Sequence, residues 1–166
     1  MDHPTKYYSD KQEKLISSML GWSVVSGSGS RSCHPGDVTN RYWLGECKTK
    51  TSVSKTISFS FNHWNKICGE ATAMKKVPAL FVDDGSQTAS STWVLLRRCC
   101  AAIFNIKFEE IAFKCTNSKS ISFKQAEAVK ALEAVNSNRP KVLKPCEDTE
   151  LCIMHFSTFC DLFGEI

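Results

Sequence analysis

The run Tyr42-Trp43-Leu44-Gly45-Glu46-Cys47-Lys48-Thr49-Lys50 is an apolar strand that ends in charge, and it constrains this chain more than any other segment. Strand side chains alternate with a period of two, so Glu46 and Lys48 share one face with the Cys47 carbonyl between them. Asp37 precedes them in a D-x8-E-C-K pattern. That spacing accommodates a neighbouring strand, a tight connection around Asn40 and Arg41, and the return. An antiparallel hairpin would then bring Asp37 up to Glu46. Two carboxylates, a carbonyl and a lysine make a site for a hard divalent cation with an activating ammonium beside it. The chemistry this suits is metal-assisted hydrolysis of a phosphodiester. Glu-x-Lys on a strand is common by itself, so the flanking segments decide how much it means.

Those flanks have a definite order. Asp10 is a plausible N-cap for a helix over about Lys11 to Leu20, with Leu15, Ile16, Met19 and Leu20 on its apolar face and Gly21 at its end. Glu13 on this helix has two readings, a solvated acid near the positive helix end or a metal-site acid. Val24-Val25 runs into the Gly/Ser loop Ser26-Gly27-Ser28-Gly29-Ser30, and strands are expected near Ser23 to Ser26, Gly36 to Arg41 and Trp43 to Lys50. A polar stretch over Thr51 to Lys55 follows. Ile57, Phe59 and Phe61 then alternate with serines as a short extended piece. A helix is expected from about Asn62 to Met74, with Trp64, Ile67, Cys68, Ala71 and Met74 as its core face. Val77-Pro78-Ala79-Leu80-Phe81-Val82 and Trp93-Val94-Leu95-Leu96 are further strands, joined through the turn-forming Asp83-Asp84-Gly85.

This order resembles the PD-(D/E)XK nuclease superfamily, and within it the Holliday-junction resolvases of archaea and phages. The resemblance spans roughly residues 8 to 98. Glu13 matches the helical acid of those proteins, the Ser26 to Ser30 loop their Gly/Ser loop, and Asp37, Glu46 and Lys48 their catalytic core. One departure is visible: Gly36 stands where a proline usually precedes the aspartate. The resemblance implies an α/β fold, a restriction-endonuclease-like mixed central sheet flanked by helices. It further implies Mg²⁺ or Mn²⁺ held by Asp37, Glu46, the Cys47 carbonyl and Glu13, with Lys48 orienting water or stabilising the transition state. The implied substrate is branched or junction DNA, cut by a homodimer, with backbone contacts from Ser26, Ser28, Ser30, Arg31, Lys50 and Lys55. A nicking or sequence- or end-directed endonuclease has the same core motif, and a non-cleaving DNA-binding protein on a nuclease fold is the reading from another class.

Composition sets the outer bounds. The chain has 166 residues, 42% hydrophobic and 23% charged, with a net charge of +4, which is compatible with DNA without implying it. Met1-Asp2-His3-Pro4-Thr5-Lys6 does not read as a signal peptide, and no apolar run approaches membrane-spanning length. The nine cysteines are an odd number and include no C-x2-C pair, so reduced thiols in a cytoplasmic setting are expected rather than disulfides or structural zinc. P-loop and Ser-His-Asp patterns are absent. Trp22, Trp43 and Trp64 are either core or a dimer surface.

The last third echoes the first. Lys55-Thr56-Ile57-Ser58-Phe59 and Lys119-Ser120-Ile121-Ser122-Phe123 each precede a helix and then a proline, Pro78 or Pro140. Residues 1–104 are therefore expected to form the nuclease core. Residues 105–166 would be a small C-terminal strand-helix-strand extension, either a degenerate repeat without the D…E-x-K set or a chance likeness.

Overall fold

The computed structural model describes residues 4–27, 34–146 and 149–164, and of Asn117 only the backbone. Helix α1 runs Pro4–Leu20. It starts earlier than Asp10 because Pro4 can open a helix at no cost in hydrogen bonds. It stops at Gly21, whose φ of 69° is the left-handed geometry of a helix end. Strands β1 (Ser23–Val24) and β2 (Val38–Thr39) pair antiparallel, and β2 pairs antiparallel with β3 (Trp43–Lys48). The β2–β3 turn is set by Asn40, whose Oδ1 accepts from the backbone N–H groups of Tyr42 and Trp43 at 2.9 and 2.8 Å. That Asx turn keeps β2 shorter than the alternation in the sequence suggests.

The chain continues through β4 (Thr56–Ser60), α2 (Phe61–Ala73), β5 (Val77–Val82), β6 (Trp93–Arg97) and α3 (Cys100–Ile103). It then forms β7 (Glu109–Ala112), β8 (Thr116–Asn117), β9 (Ser120–Lys124) and α4 (Gln125–Glu133). Strands β10 (Lys141–Lys144) and β11 (Leu151–His155) and helix α5 (Phe156–Phe163) complete it. One mixed eight-stranded sheet has the order β1-β2-β3-β5-β6-β11-β10-β7, and a three-stranded sheet has the order β4-β9-β8. Residues 105–166 thus supply strands β7, β10 and β11 of the same sheet that carries β3.

Each face of the large sheet carries its own core. Alternation along β3 sends Trp43 and Cys47 to the face covered by α1 and α5, packed with Phe81, Phe156, Phe159 and Phe163. The opposite face buries Leu44, Leu80, Leu95 and Ile153 beneath α2, α4 and the small sheet, whose Ile57, Phe59, Ile121 and Phe123 point inward. Trp22 and Trp43 belong to the first core and Trp64 to the second, and all three are buried. Their indoles therefore form no dimer surface.

The two echoing segments are hydrogen-bonded to each other. Strands β4 and β9 pair antiparallel with Ser58 opposite Ser122, Ile57 opposite Phe123 and Phe59 opposite Ile121. In the large sheet β6 and β11 pair antiparallel, with Leu95 opposite Ile153. On either side the order runs β6-β5-β3 and β11-β10-β7, antiparallel then parallel in both halves. Leu80 faces Leu95 as Leu143 faces Ile153. An approximate two-fold axis therefore passes through Ser58/Ser122 and Leu95/Ile153 and exchanges α2 with α4. Helix α1 and the β1–β2 hairpin stand outside it.

Candidate functional site

The site lies where β3 ends, between α1 on one face and α2 on the other. Glu46 and Lys48 share a face as strand periodicity requires, and Lys48 Nζ lies 2.7 Å from Glu46 Oε1. Glu46 is only 2% exposed. Its second cation is Lys66 on α2, at 3.5 Å, which also reaches Glu70 one helical turn on. Asp37 sits at the start of β2, where its N–H donates to the Gly45 carbonyl and its Oδ2 accepts from the Cys47 N–H at 2.8 Å. The aspartate is therefore locked to the strand carrying Glu46. Cys47 offers its backbone to the site while its thiol is buried in the core below. Burial, then the charges of Asp37, Glu13 and Glu46, push that thiol well above its usual range, so it remains protonated.

Glu13 is turned into the protein rather than to solvent. It is 9% exposed on the inner side of α1. Burial first, then the charges of Asp37, Asp10 and Glu46, raise its pKa to about 7 despite the opposing pull of Lys48. Lys48 is lowered by burial, but its hydrogen bond and charge interaction with Glu46, with Asp37 adding to them, outweigh that and leave it above its ordinary value. Asp37, Glu46 and Glu13 thus act on one another electrostatically around Lys48, with Lys66 reaching Glu46 from α2.

Several participants were not singled out from the sequence. Gln12 is fully buried; its Nε2 donates to the Lys48 carbonyl at 2.8 Å, while its Oε1 has no hydrogen-bond partner. His63 on α2 is lowered by burial, then by the charge of Lys48. Asp83, taken from sequence for a turn residue, accepts from Thr49 Oγ1 and from the Gly85 N–H and leaves its Oδ2 buried without a partner. Burial raises its pKa. Lys48, Lys50, Ser58, His63, Asp83 and Ser120 line a cleft of about 250 Å³, to which Lys48 joins the Glu46 ion pair. An adjacent acid pair in a turn, with a threonine at the end of the neighbouring strand, was the only trace of Asp83 in the sequence.

Among the expected DNA-contacting residues, Lys50 lies in this cleft and donates to the Thr56 carbonyl at 3.2 Å, Lys55 is exposed at the head of β4, and Ser26 is exposed. Ser28, Ser30 and Arg31 lie outside the described residues. Arg98 is engaged by Glu110 through a two-pronged pair, at 2.5 and 2.7 Å. Lys76 ties the β2–β3 turn by donating to Thr39 Oγ1 and the Asn40 carbonyl.

The donor set suits a hard divalent cation. Glu13, Asp37, Glu46 and the orphaned Gln12 Oε1 are all oxygen donors, the kind of ligand such a cation takes. Among the described residues no three His, Cys, Asp or Glu side chains are gathered closely enough to hold a metal ion by themselves. Mg²⁺ does not require such a cluster, since it keeps several waters and takes one or two carboxylates together with substrate phosphates. No family model, curated protein or solved structure matches the chain. No helix among the described residues is long and apolar enough to cross a membrane.

Proposed function

We propose that this chain is a divalent-cation-dependent endonuclease that hydrolyses phosphodiester bonds in DNA, on a restriction-endonuclease-like variant of the mixed α/β fold. The observation that carries the reading is the convergence of Asp37, Glu46 and Lys48 at one strand end, beside a buried Glu13 whose pKa is raised by burial first and then by the charges of Asp37, Asp10 and Glu46. A structural ion pair needs only Glu46 and Lys48. It does not need Glu13 and Asp37 buried beside that pair as well.

Mg²⁺ or Mn²⁺ would be held by Asp37, Glu46 and the Cys47 carbonyl, with Glu13 directly or through water, and would supply a more acidic bound water and charge neutralisation. The chain's own groups do the rest. Lys48, kept cationic by Glu46, faces the cleft and balances charge that builds on the phosphate oxygens. Gln12 holds the Lys48 backbone in place, and Asp37 holds that of Cys47, so the strand end is rigid before substrate arrives. His63, held neutral by burial and Lys48, can accept a proton or a hydrogen bond inside the cleft. Lys50 and Lys55 lie on the approach and suit phosphate contacts.

The substrate is branched DNA, recognised by shape, with two copies acting together where a four-way junction receives symmetric cuts. Cleavage of four-way junction, flap, single-strand and linear duplex DNA, compared side by side with Mg²⁺ and with chelator, tests the reading. Metal-dependent cutting with preference for the branched forms is expected. Absence of cutting on every substrate would sink the proposal, while equal cutting of all of them would sink only the preference for branches.

A further inference from the structure

The acidic cleft has a two-fold mate in the other half of the molecule. Leu80 corresponds to Leu143, since each faces the axis pair Leu95 and Ile153. Leu80 also pairs with Glu46, and Leu143 with Ile111. The axis therefore carries Glu46 to Ile111, Lys48 to Phe113, Thr49 to Lys114 and Asp83 to Cys146. At that place lies a cleft of about 810 Å³, lined among others by Phe113, Lys114, Cys115, Lys144 and Cys146. No carboxylate lines it, whereas Asp83 lines the first, and its two lysines, Lys114 and Lys144, have no acid among the lining residues.

The outer face of the small sheet forms one wall of the first cleft through Ser58, Ser60 and Ser120 and crosses the axis from there. Burial alternates along β4 and β9, so Ile57, Phe59, Ile121 and Phe123 point inward and Ser58, Ser60, Ser120 and Ser122 point outward. Ser58 Oγ and Ser122 Oγ meet at 2.7 Å, the contact of one segment with its own echo 64 residues later. Exposed Lys55 and Lys119 occupy equivalent places at the two ends of this hydroxyl stripe. With strands about 4.8 Å apart and a rise of about 3.3 Å per residue, the clefts are separated by roughly 25–30 Å, under one ~34 Å turn of duplex.

Duplex DNA has its own two-fold axes, each exchanging its strands. We propose that one duplex lies across the serine face with its axis on that of the protein. The acidic cleft then takes the scissile phosphate of one strand, and Lys114 and Lys144 take the matching phosphate of the other. This rests on the nuclease reading of the Glu46–Lys48 site. Its consequence is that each copy of the chain cuts one strand and holds its complement, because Ile111 and Phe113 replace the groups that hydrolysis needs. A single copy nicks.

Two measurements test this. In the first, a Glu46→Gln background blocks cleavage and a labelled linear duplex is titrated over a range of salt. Adding Lys114→Glu and Lys144→Glu should weaken binding at least ~10-fold and reduce the slope of log K against log salt by about two, one per lost phosphate contact. An unchanged slope in a variant with unaltered thermal unfolding would overturn the assignment. In the second, the unsubstituted chain is given supercoiled plasmid. Open circles should accumulate before any linear product, and direct conversion to linear DNA at limiting protein would overturn it independently of the variants. Cleavage with an unchanged salt slope removes this inference and leaves the nuclease reading intact. A chain that neither binds nor cuts DNA removes both.

Discussion

Gly36 immediately precedes Asp37, and its backbone excludes a proline at that position. Its φ is 71°, whereas a pyrrolidine ring holds φ near −65°. Its N–H also donates to Glu70 Oε2 at 3.0 Å, a bond proline cannot make. Gly36→Pro is accordingly predicted to destabilise the fold by more than ~1 kcal/mol and to misplace Asp37, read as a lower unfolding midpoint together with slower cleavage. Glu13 makes a second prediction. Its folded pKa of about 7 exceeds the ordinary glutamate value of 4.5, so the folded state binds this proton more tightly than the unfolded state. Its contribution is therefore full below pH 4.5 and lost as pH rises toward 7. Without metal, thermal stability should fall across that window, and Glu13→Gln should flatten the profile. Added Mg²⁺ should stabilise progressively more as pH rises through the same window, because the cation favours the ionised acid. A midpoint independent of both pH and Mg²⁺ there would remove Glu13 from the site.

At the scale of elements, the β2–β3 hairpin was legible because its spacing, its Asn40 turn and its alternation agree. The apolar runs of β5 and β6 were legible because strands buried on both faces are continuously hydrophobic. Gln12 and Asp83 were not, because their roles depend on which strand end α1 and the β5 turn happen to meet, and nothing local in the sequence records that. The pairing of β4 with β9 was equally hidden: the two serine-bearing segments look like short edge pieces, and only the closed sheet shows them to be partners. Residues 105–166 supply β10, β11 and α5, and with them Leu143, Ile153, Phe156, Phe159 and Phe163 to the two cores. A fragment of residues 1–104 would expose the whole β6 edge and both cores, so it is predicted not to unfold cooperatively. A sharp thermal transition from that fragment would show that the first half folds without its mate.

Over the whole molecule, the approximate two-fold arrangement and the single acidic cleft together define the account. Leu95 and Ile153 meet at the axis, fully buried, and tie the halves edge to edge. Leu95→Ala is predicted to cost about 2–5 kcal/mol, a large share of the stability of a domain this size, visible as a shift in denaturation midpoint. One half keeps Asp37, Glu46 and Lys48 at a strand end, and the other presents Ile111 and Phe113 in the matching places. The central claim is that the acidic half hydrolyses DNA with a bound divalent cation. It is tested most directly by comparing the unsubstituted chain with Glu46→Gln in single-turnover cleavage of branched and duplex DNA in Mg²⁺, with thermal unfolding as the control for fold. The account predicts cleavage by the first and a rate at least ~10²-fold lower for the second, with both chains folded. Equal rates for the two, or no cleavage by the unsubstituted chain with any divalent cation, would contradict it.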